Sequence, residues 1–110
     1  MFIACCTVHM STARLLLSKG ATVDLASNNG STPLFMACQD GHESIARLLL
    51  EKGAKVDHSN NDGATPLFIA CQNGHESTAR LLHGMGATVD LARNDGATPL
   101  AIACQNGNES

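Results

Sequence analysis

An all-α repeat solenoid is the fold class this 110-residue chain predicts, and three observations predict it. Thr32-Pro33-Leu34 recurs as Thr65-Pro66-Leu67 and again as Thr98-Pro99-Leu100, 33 residues further on each time. Residues 29–61 and 62–94 align without a gap and are identical at about two-thirds of their positions. Within each period, two short helix signals stand either side of a glycine, as in Leu34–Gln39, Gly41 and Ile45–Leu50. A fixed period of this length means stacked units, each contacting its neighbours, rather than one closed core.

The array spans 1–110 as one domain. It divides into a partial first unit (1–28), full units over 29–61 and 62–94, and a truncated fourth over 95–110. The first unit is out of phase with the others: Met1 aligns with Leu34, so the turn and the Thr-Pro cap are missing, and Val8 and Met10 stand where later units have Gly and Glu.

The second unit shows the pattern in full. Asn29-Gly30 is a turn dipeptide, since glycine adopts positive φ without a steric penalty. Thr32 is placed to cap a helix N-terminus, and Pro33 follows at the first helical position, where its missing N–H is no loss. The spacing predicts a first helix over Leu34–Gln39, ended by Gly41. It predicts a second beginning near His42, carrying Ile45, Ala46, Leu48, Leu49 and Leu50, and stopped by Gly53 in the left-handed region. Glu43 precedes Arg47 by four residues and Glu76 precedes Arg80 likewise, the favourable order for a helical ion pair. Ala54-Lys55-Val56-Asp57 reads as an extended connection to the next turn, Asp62-Gly63. Neither helix is long enough to be stable alone in water, so each must bury its apolar face on a neighbour.

The third unit repeats this wording with one weak point. His83-Gly84-Met85 replaces Leu50-Glu51-Lys52, and a glycine there is expected to cost about 1 kcal/mol. The fourth unit stops at Ser110, which aligns with Ser44 and Ser77, just as a second helix should begin. Met1, Phe2 and Ile3 open one end and Leu100, Ala101 and Ile102 lie near the other, whereas solenoids normally close with polar capping units. The expectation is a fragment of a longer array, or a product that frays or self-associates through uncapped ends.

Composition excludes several classes. The hydrophobic share is 44% and the aromatic share 3%, without Trp or Tyr, so the core must be aliphatic. The net charge is −3 and the seven Lys and Arg are scattered, which gives no basic stripe for nucleic acid. No apolar run approaches the roughly 20 residues of a membrane helix, so no membrane is expected as a partner. Met1-Phe2-Ile3-Ala4-Cys5-Cys6 lacks a basic leader and reads poorly as a signal peptide. Lipid on Cys5 and Cys6 would anchor the chain, but Cys5 has a repeat-based explanation. An intracellular, cytoplasmic setting is expected.

Period, helix pair and wording together resemble the ankyrin repeat, whose pattern reads Asp-Gly-x-Thr-Pro-Leu-His-x-Ala-Ala and later Gly-His, Leu-Leu and Gly-Ala. Here it stands as Asp62-Gly63-Ala64-Thr65-Pro66-Leu67-Phe68-Ile69-Ala70-Cys71, then Gly74-His75, Leu81-Leu82 and Gly86-Ala87. The resemblance covers the entire chain. It implies helices in two layers with hairpin-like β-turn tips projecting from them. Phe35 and Phe68 depart from the family's His, and Ala101 replaces them in the last unit, so the two Phe rings are expected to be mainly buried.

The chemistry-bearing residues repeat with the array. Cys5, Cys38, Cys71 and Cys104 occupy one register position, where the family usually has Ala. Equivalent helices of a stack lie about 8–10 Å apart, whereas disulfide Cα atoms must lie within about 7 Å, so the cysteines are read as small packed hydrophobes. Cys5 with His9, Cys38 with His42 and Cys71 with His75 have a spacing that invites zinc. Gly41 and Gly74 interrupt the helix between two of these pairs, and the Gly-His dipeptide is an ordinary family feature, so no metal and no cofactor is expected. A Cys–His catalytic pair would need an orienting group and an oxyanion site, and tiling in every unit argues against catalysis. Asn29-Gly30-Ser31 and Asn108-Glu109-Ser110 match the glycosylation pattern incidentally.

The resemblance implies a non-catalytic module binding a partner protein or extended peptide on its concave surface. The positions it assigns to contact are Asn28, Asn29, Ser31, Asn61, Asp62, Ala64, Asn94 and Asp95 at the tips. On the first helices they are Gln39, Asp40, Gln72, Asn73, Gln105 and Asn106. For Asn29, Asp62 and Asp95, serving the turn is the favoured reading over contact. This polar, slightly acidic, aromatic-poor surface suits an extended polar segment of basic character, held weakly. The alternative is a structural spacer within a longer array, without specificity of its own.

Overall fold

The computed structural model describes residues 10–105, with side chains from Arg14 onward. Six helices follow in order: α1 (Met10–Ser18), α2 (Pro33–Asp40), α3 (Glu43–Glu51), α4 (Pro66–Gln72), α5 (Glu76–Gly84) and α6 (Pro99–Gln105). There is no strand among the described residues. Helices α2, α4 and α6 pack side by side as one layer, and α1, α3 and α5 as the other. Within a unit, α2 packs on α3 and α4 on α5. This is the two-layer repeat solenoid that the 33-residue period predicts.

The first helix of each unit starts where the sequence places it. Thr32 has extended backbone, φ −84° and ψ 167°, and its Oγ1 accepts from the Phe35 N–H at 3.2 Å. Thr65 does the same for Phe68 at 3.1 Å and Thr98 for Ala101 at 3.2 Å. Each cap satisfies a donor that the first helical turn leaves without an internal partner. Gly41, at φ +74°, ends α2 by donating to the carbonyls of Ala37 and Cys38. His42 and His75 precede the second helices, but neither side chain caps them. The Glu43–Arg47 and Glu76–Arg80 pairs both form on exposed helix surface, where such pairs contribute only a few tenths of a kcal/mol.

The tips are hairpin-like turns. Asn60 N–H donates to the Ala64 carbonyl at 2.9 Å and Gly63 N–H to the Asn60 carbonyl at 3.0 Å. Ser27 with Ser31, and Arg93 with Ala97, repeat the arrangement. The connection expected to be extended over Ala54–Asp57 is different: Val56 and Asp57 form a turn, with His58 N–H donating to the Lys55 carbonyl at 3.3 Å. The turn brings the Asp57 carboxylate to the next unit, where it accepts from Thr88 N–H at 3.0 Å. A purely extended reading had no means of anticipating that partner.

The core runs along the line between the two layers. Leu34, Ala37, Cys38, Ile45, Ala46, Leu49 and Leu82 are all buried there. Phe35 and Phe68 are buried as expected and form a second cluster with Ala64 and Ile102. The Arg93 guanidinium lies 4.8 Å over the Phe68 ring, a cation–π contact. In the third unit, α5 reaches Gly84 just as α3 reaches Glu51, so His83-Gly84-Met85 does not shorten the helix. The opening residues Met1–Ile3 and the departure at Val8 lie outside the described residues, as does the side chain of Met10.

Two glycine substitutions separate backbone strain from packing. A Cβ on Gly41 would sit 2.7 Å from Nδ1 of His75, whereas one on Gly53, also left-handed at φ +98°, would meet nothing within 4 Å. Gly53→Ala should therefore cost about 1–2 kcal/mol from conformation alone, and Gly41→Ala measurably more in the same urea titration. Gly84 is helical and open to solvent, so Gly84→Ala should stabilise by about 0.5–1 kcal/mol.

Candidate protein-interaction surface

Side-chain hydrogen bonds repeat at the unit spacing and link each unit to the next. Asn61 Nδ2 donates to the Asn28 carbonyl at 3.2 Å, and Asn94 Nδ2 to the Asn61 carbonyl at 3.0 Å. Beside them, Asn61 N–H donates to the Asn29 carbonyl and Asn94 N–H to the Asp62 carbonyl. The tips are thus stitched into a column. A second set joins the connections: the Asp24 carboxylate accepts from Lys55 N–H, and Asp57 accepts from both the N–H and the hydroxyl of Thr88. A third joins the first helices, where the Gln39 carbonyl receives Asn73 Nδ2 at 2.9 Å and lies 3.1 Å from His75 Nε2. His75 therefore bridges units, instead of only organising the turn inside its own.

Most of the expected contact positions face solvent. Asn28, Asn29, Asn61, Asp62, Asn94 and Asp95 are exposed at the tips, and Gln39, Asp40, Asn73 and Gln105 are exposed on the first helices. Gln72 is half-buried. Two expectations need correction. Ser31 is 1% exposed and Ala64 5% exposed, so neither can touch a partner. Both lie where the chain turns inward from the tip, and Ala64 packs with Phe35 and Phe68. Asn106 and Asn108 lie outside the described residues.

Several of these side chains hold the tips in shape. Asn29 Oδ1 accepts from Ser31 N–H at 3.0 Å and from the Ser27 hydroxyl at 2.6 Å. Asp95 Oδ1 accepts from Ala97 N–H at 3.1 Å, and the carboxylate pairs with Arg93 at 2.6 Å. The hydrogen bond from Arg93, reinforced by Ala97, holds the Asp95 carboxyl down at about 2. In the middle tip Asn60 takes the turn role instead, accepting from Asp62 N–H and Ala64 N–H. This leaves the Asp62 carboxylate projecting at the rim beside Arg93, Asn94 and Asp95. The turn reading of Asn29 and Asp95 thus describes their side chains, while Asp62 does not share it.

Sequence reasoning did not pick out the Asp24–Lys55 and Asp57–Thr88 links, although Val-Asp recurs at 23–24, 56–57 and 89–90. It also did not foresee a groove of about 660 Å³ beside α5 and α6, lined by Leu67, Ala79, His83, Val89, Leu100 and Ala103 among others. No helix among the described residues is long and apolar enough to cross a membrane. The cysteines differ by position: Cys38 is buried, Cys71 half-buried and Cys104 exposed, while Cys5, Cys6 and His9 lie outside the described residues.

A family model described as "Ankyrin repeats (many copies)" matches residues 8–50 and 34–83. Together the two matches span 8–83, more than half of the 110 residues. No curated protein matches the chain.

Burial pushes the Cys38 thiol up to about 12 and raises that of Cys71. Nucleophilic attack needs the thiolate, so iodoacetamide at neutral pH should label Cys104 first, Cys71 more slowly and Cys38 only on unfolding, as read by peptide mass spectrometry. The unfolded Cys38 thiol ionises near 9.0. The folded state holds it neutral, so its contribution to stability is complete below about pH 9 and declines as pH rises from there towards 12.

Proposed function

Because the chain belongs to the ankyrin-repeat family, we propose that it is a non-catalytic recognition module which binds an extended, polar, basic segment of a partner protein along its tips and first helices. Ankyrin repeats are generally protein–protein interaction modules, and proteins built from them are generally non-catalytic. The observation that carries the finer reading is the run of exposed amide side chains along the stack: Asn28, Asn61 and Asn94 at unit spacing on the tips, then Gln39, Asn73 and Gln105 on the first helices. Amides offer donors and acceptors together, which suits a partner's main chain in extended form.

Charge favours the basic partner. Asp40 and Asp62 are exposed along this run, the net charge is −3, and the nearby Arg93 is occupied by Asp95. Exposed charges of this kind steer association more than they tighten it. The surface has no Trp or Tyr and its Arg93 is paired with Asp95, so it is poor in the residues that dominate tight interfaces, which supports weak, repetitive binding. An intracellular, cytoplasmic setting fits the family's usual place.

The side chains of Asn61 and Asn94 hold the stack, so a clean test changes others. Asn28→Arg, Asp40→Arg and Asp62→Arg together should leave the melting curve close to wild type and weaken binding of a Lys/Asn-rich extended peptide at least tenfold by calorimetry. A captured natural partner should be lost in parallel. Undiminished binding of both would overturn the reading and leave these units as spacers.

A further inference from the structure

The outer faces of the second helices carry a column of arginines. Arg14, Arg47 and Arg80 occupy one register position on α1, α3 and α5, and all three are exposed. Scattered along the sequence, they are brought into line by the stack. An open groove runs between successive helices of this layer, and the two grooves are register copies. The one between α1 and α3 is lined by Arg14, Ser44, Arg47, Leu48 and Glu51. The one between α3 and α5 is lined by their equivalents Arg47, Ser77, Arg80, Leu81 and Gly84, joined by Glu43 and Met85. The first has a volume of about 190 Å³ and the second about 490 Å³. The wider groove lies wholly between two packed helices, and its narrower copy stays open although a further unit follows it. Neither depends on an end of the stack.

Two residue differences set the wider groove apart. Glu51 lines the narrower one, and its equivalent is Gly84, which has no side chain. Lys52 gives way to Met85, which is 44% exposed. The fold calls for neither change. Gly84 is not in the left-handed region, and a Cβ there would meet nothing within 4 Å, so a glycine only forgoes helix stability. An exposed methionine likewise gains little burial, but its flexible thioether moulds itself to an apolar partner. Together with Leu81, the pair gives the groove width and an apolar floor.

The rim sets two guanidiniums against the single carboxylate of Glu43. Arg47 donates to Glu43 through Nη2, and Arg80 donates to Glu76 through Nε and Nη2. Each guanidinium keeps N–H donors beyond those bonds, and carboxylates match them best.

We propose that the groove between α3 and α5 docks a short segment of a partner protein that carries apolar side chains between two acids. The apolar side chains pack on Leu81, Gly84 and Met85, and the carboxylates meet Arg47 and Arg80. Neighbouring helices lie about 8–10 Å apart, and an extended chain advances about 3.3 Å per residue. Acids three residues apart therefore span the two arginines. No residue of this groove belongs to the tips or the first helices, so the inference is independent of the basic partner proposed for those.

The test ligand is a terminally blocked Asp-Leu-Leu-Asp-Leu-Leu-Asp peptide, titrated into the intact chain and followed by amide NMR. Saturable shifts should be confined to residues 43–51 and 77–85, and the same peptide with Lys in place of Asp should not produce them. Gly84→Glu with Met85→Lys restores the residues of the preceding unit at exposed positions. Circular dichroism should therefore report an unchanged fold while affinity for the acidic peptide falls at least tenfold. Absence of the shifts in wild type, their persistence at full affinity in this variant, or equal binding of the Lys peptide overturns the proposal. Shifts of the same residues with protein concentration alone also overturn it, because they would give the groove to a second copy of this chain.

Discussion

Each unit of this chain is too small to bury its own apolar face, so everything rests on the burial of one unit against the next. A helix of seven to nine residues has no independent stability in water. It persists because its leucines bury against neighbouring helices, as Leu48 does against Leu16 and Leu17 of the preceding unit and Leu49, Leu81 and Leu82 do within the shared core. Stability is then a sum of neighbour terms rather than the property of one core. Leu15 and Leu100 are exposed, whereas their register equivalents Leu48 and Leu34 are buried between units.

Hydrophobic burial sets the layers but does not by itself fix the register. That is the role of the polar contacts that recur between units. Asn61 and Asn94 tie the tips, Asp24 and Asp57 tie the connections, and Asn73 and His75 tie the first helices to Gln39. Each is individually modest, since an exposed hydrogen bond exchanges water for protein at little net gain. Repeated along the stack at the tips and connections, they penalise any slip of one unit along another. Gly41 belongs to the same device, because only a residue without Cβ lets the His75 ring approach so closely.

This arrangement also bears on function. A side chain that stitches tips together is still exposed, so structural and recognition roles overlap at Asn61 and Asn94. The positions without a stitching role, Asn28, Asp40 and Asp62, are where a partner's chemistry can be read with least cost to the fold. Buried Ser31 and Ala64 show the limit of transferring contact positions by register alone: two residues apart on a turn, one side chain faces solvent and the other enters the core.

The sequence by itself determined the period, the Thr caps, the burial of Phe35 and Phe68 and the class of the fold. These are legible because each depends on residues close in the chain: a cap and its N–H lie three apart, and a helix stripe repeats every three or four. What only the tertiary structure decided depends on residues a full unit apart. The turn at Val56-Asp57 exists to meet Thr88, and His75 faces Gln39. The equivalent cysteines Cys38, Cys71 and Cys104 run from buried to exposed because their neighbours differ. Periodicity names the contacts a unit can make; the stack decides which of them are made.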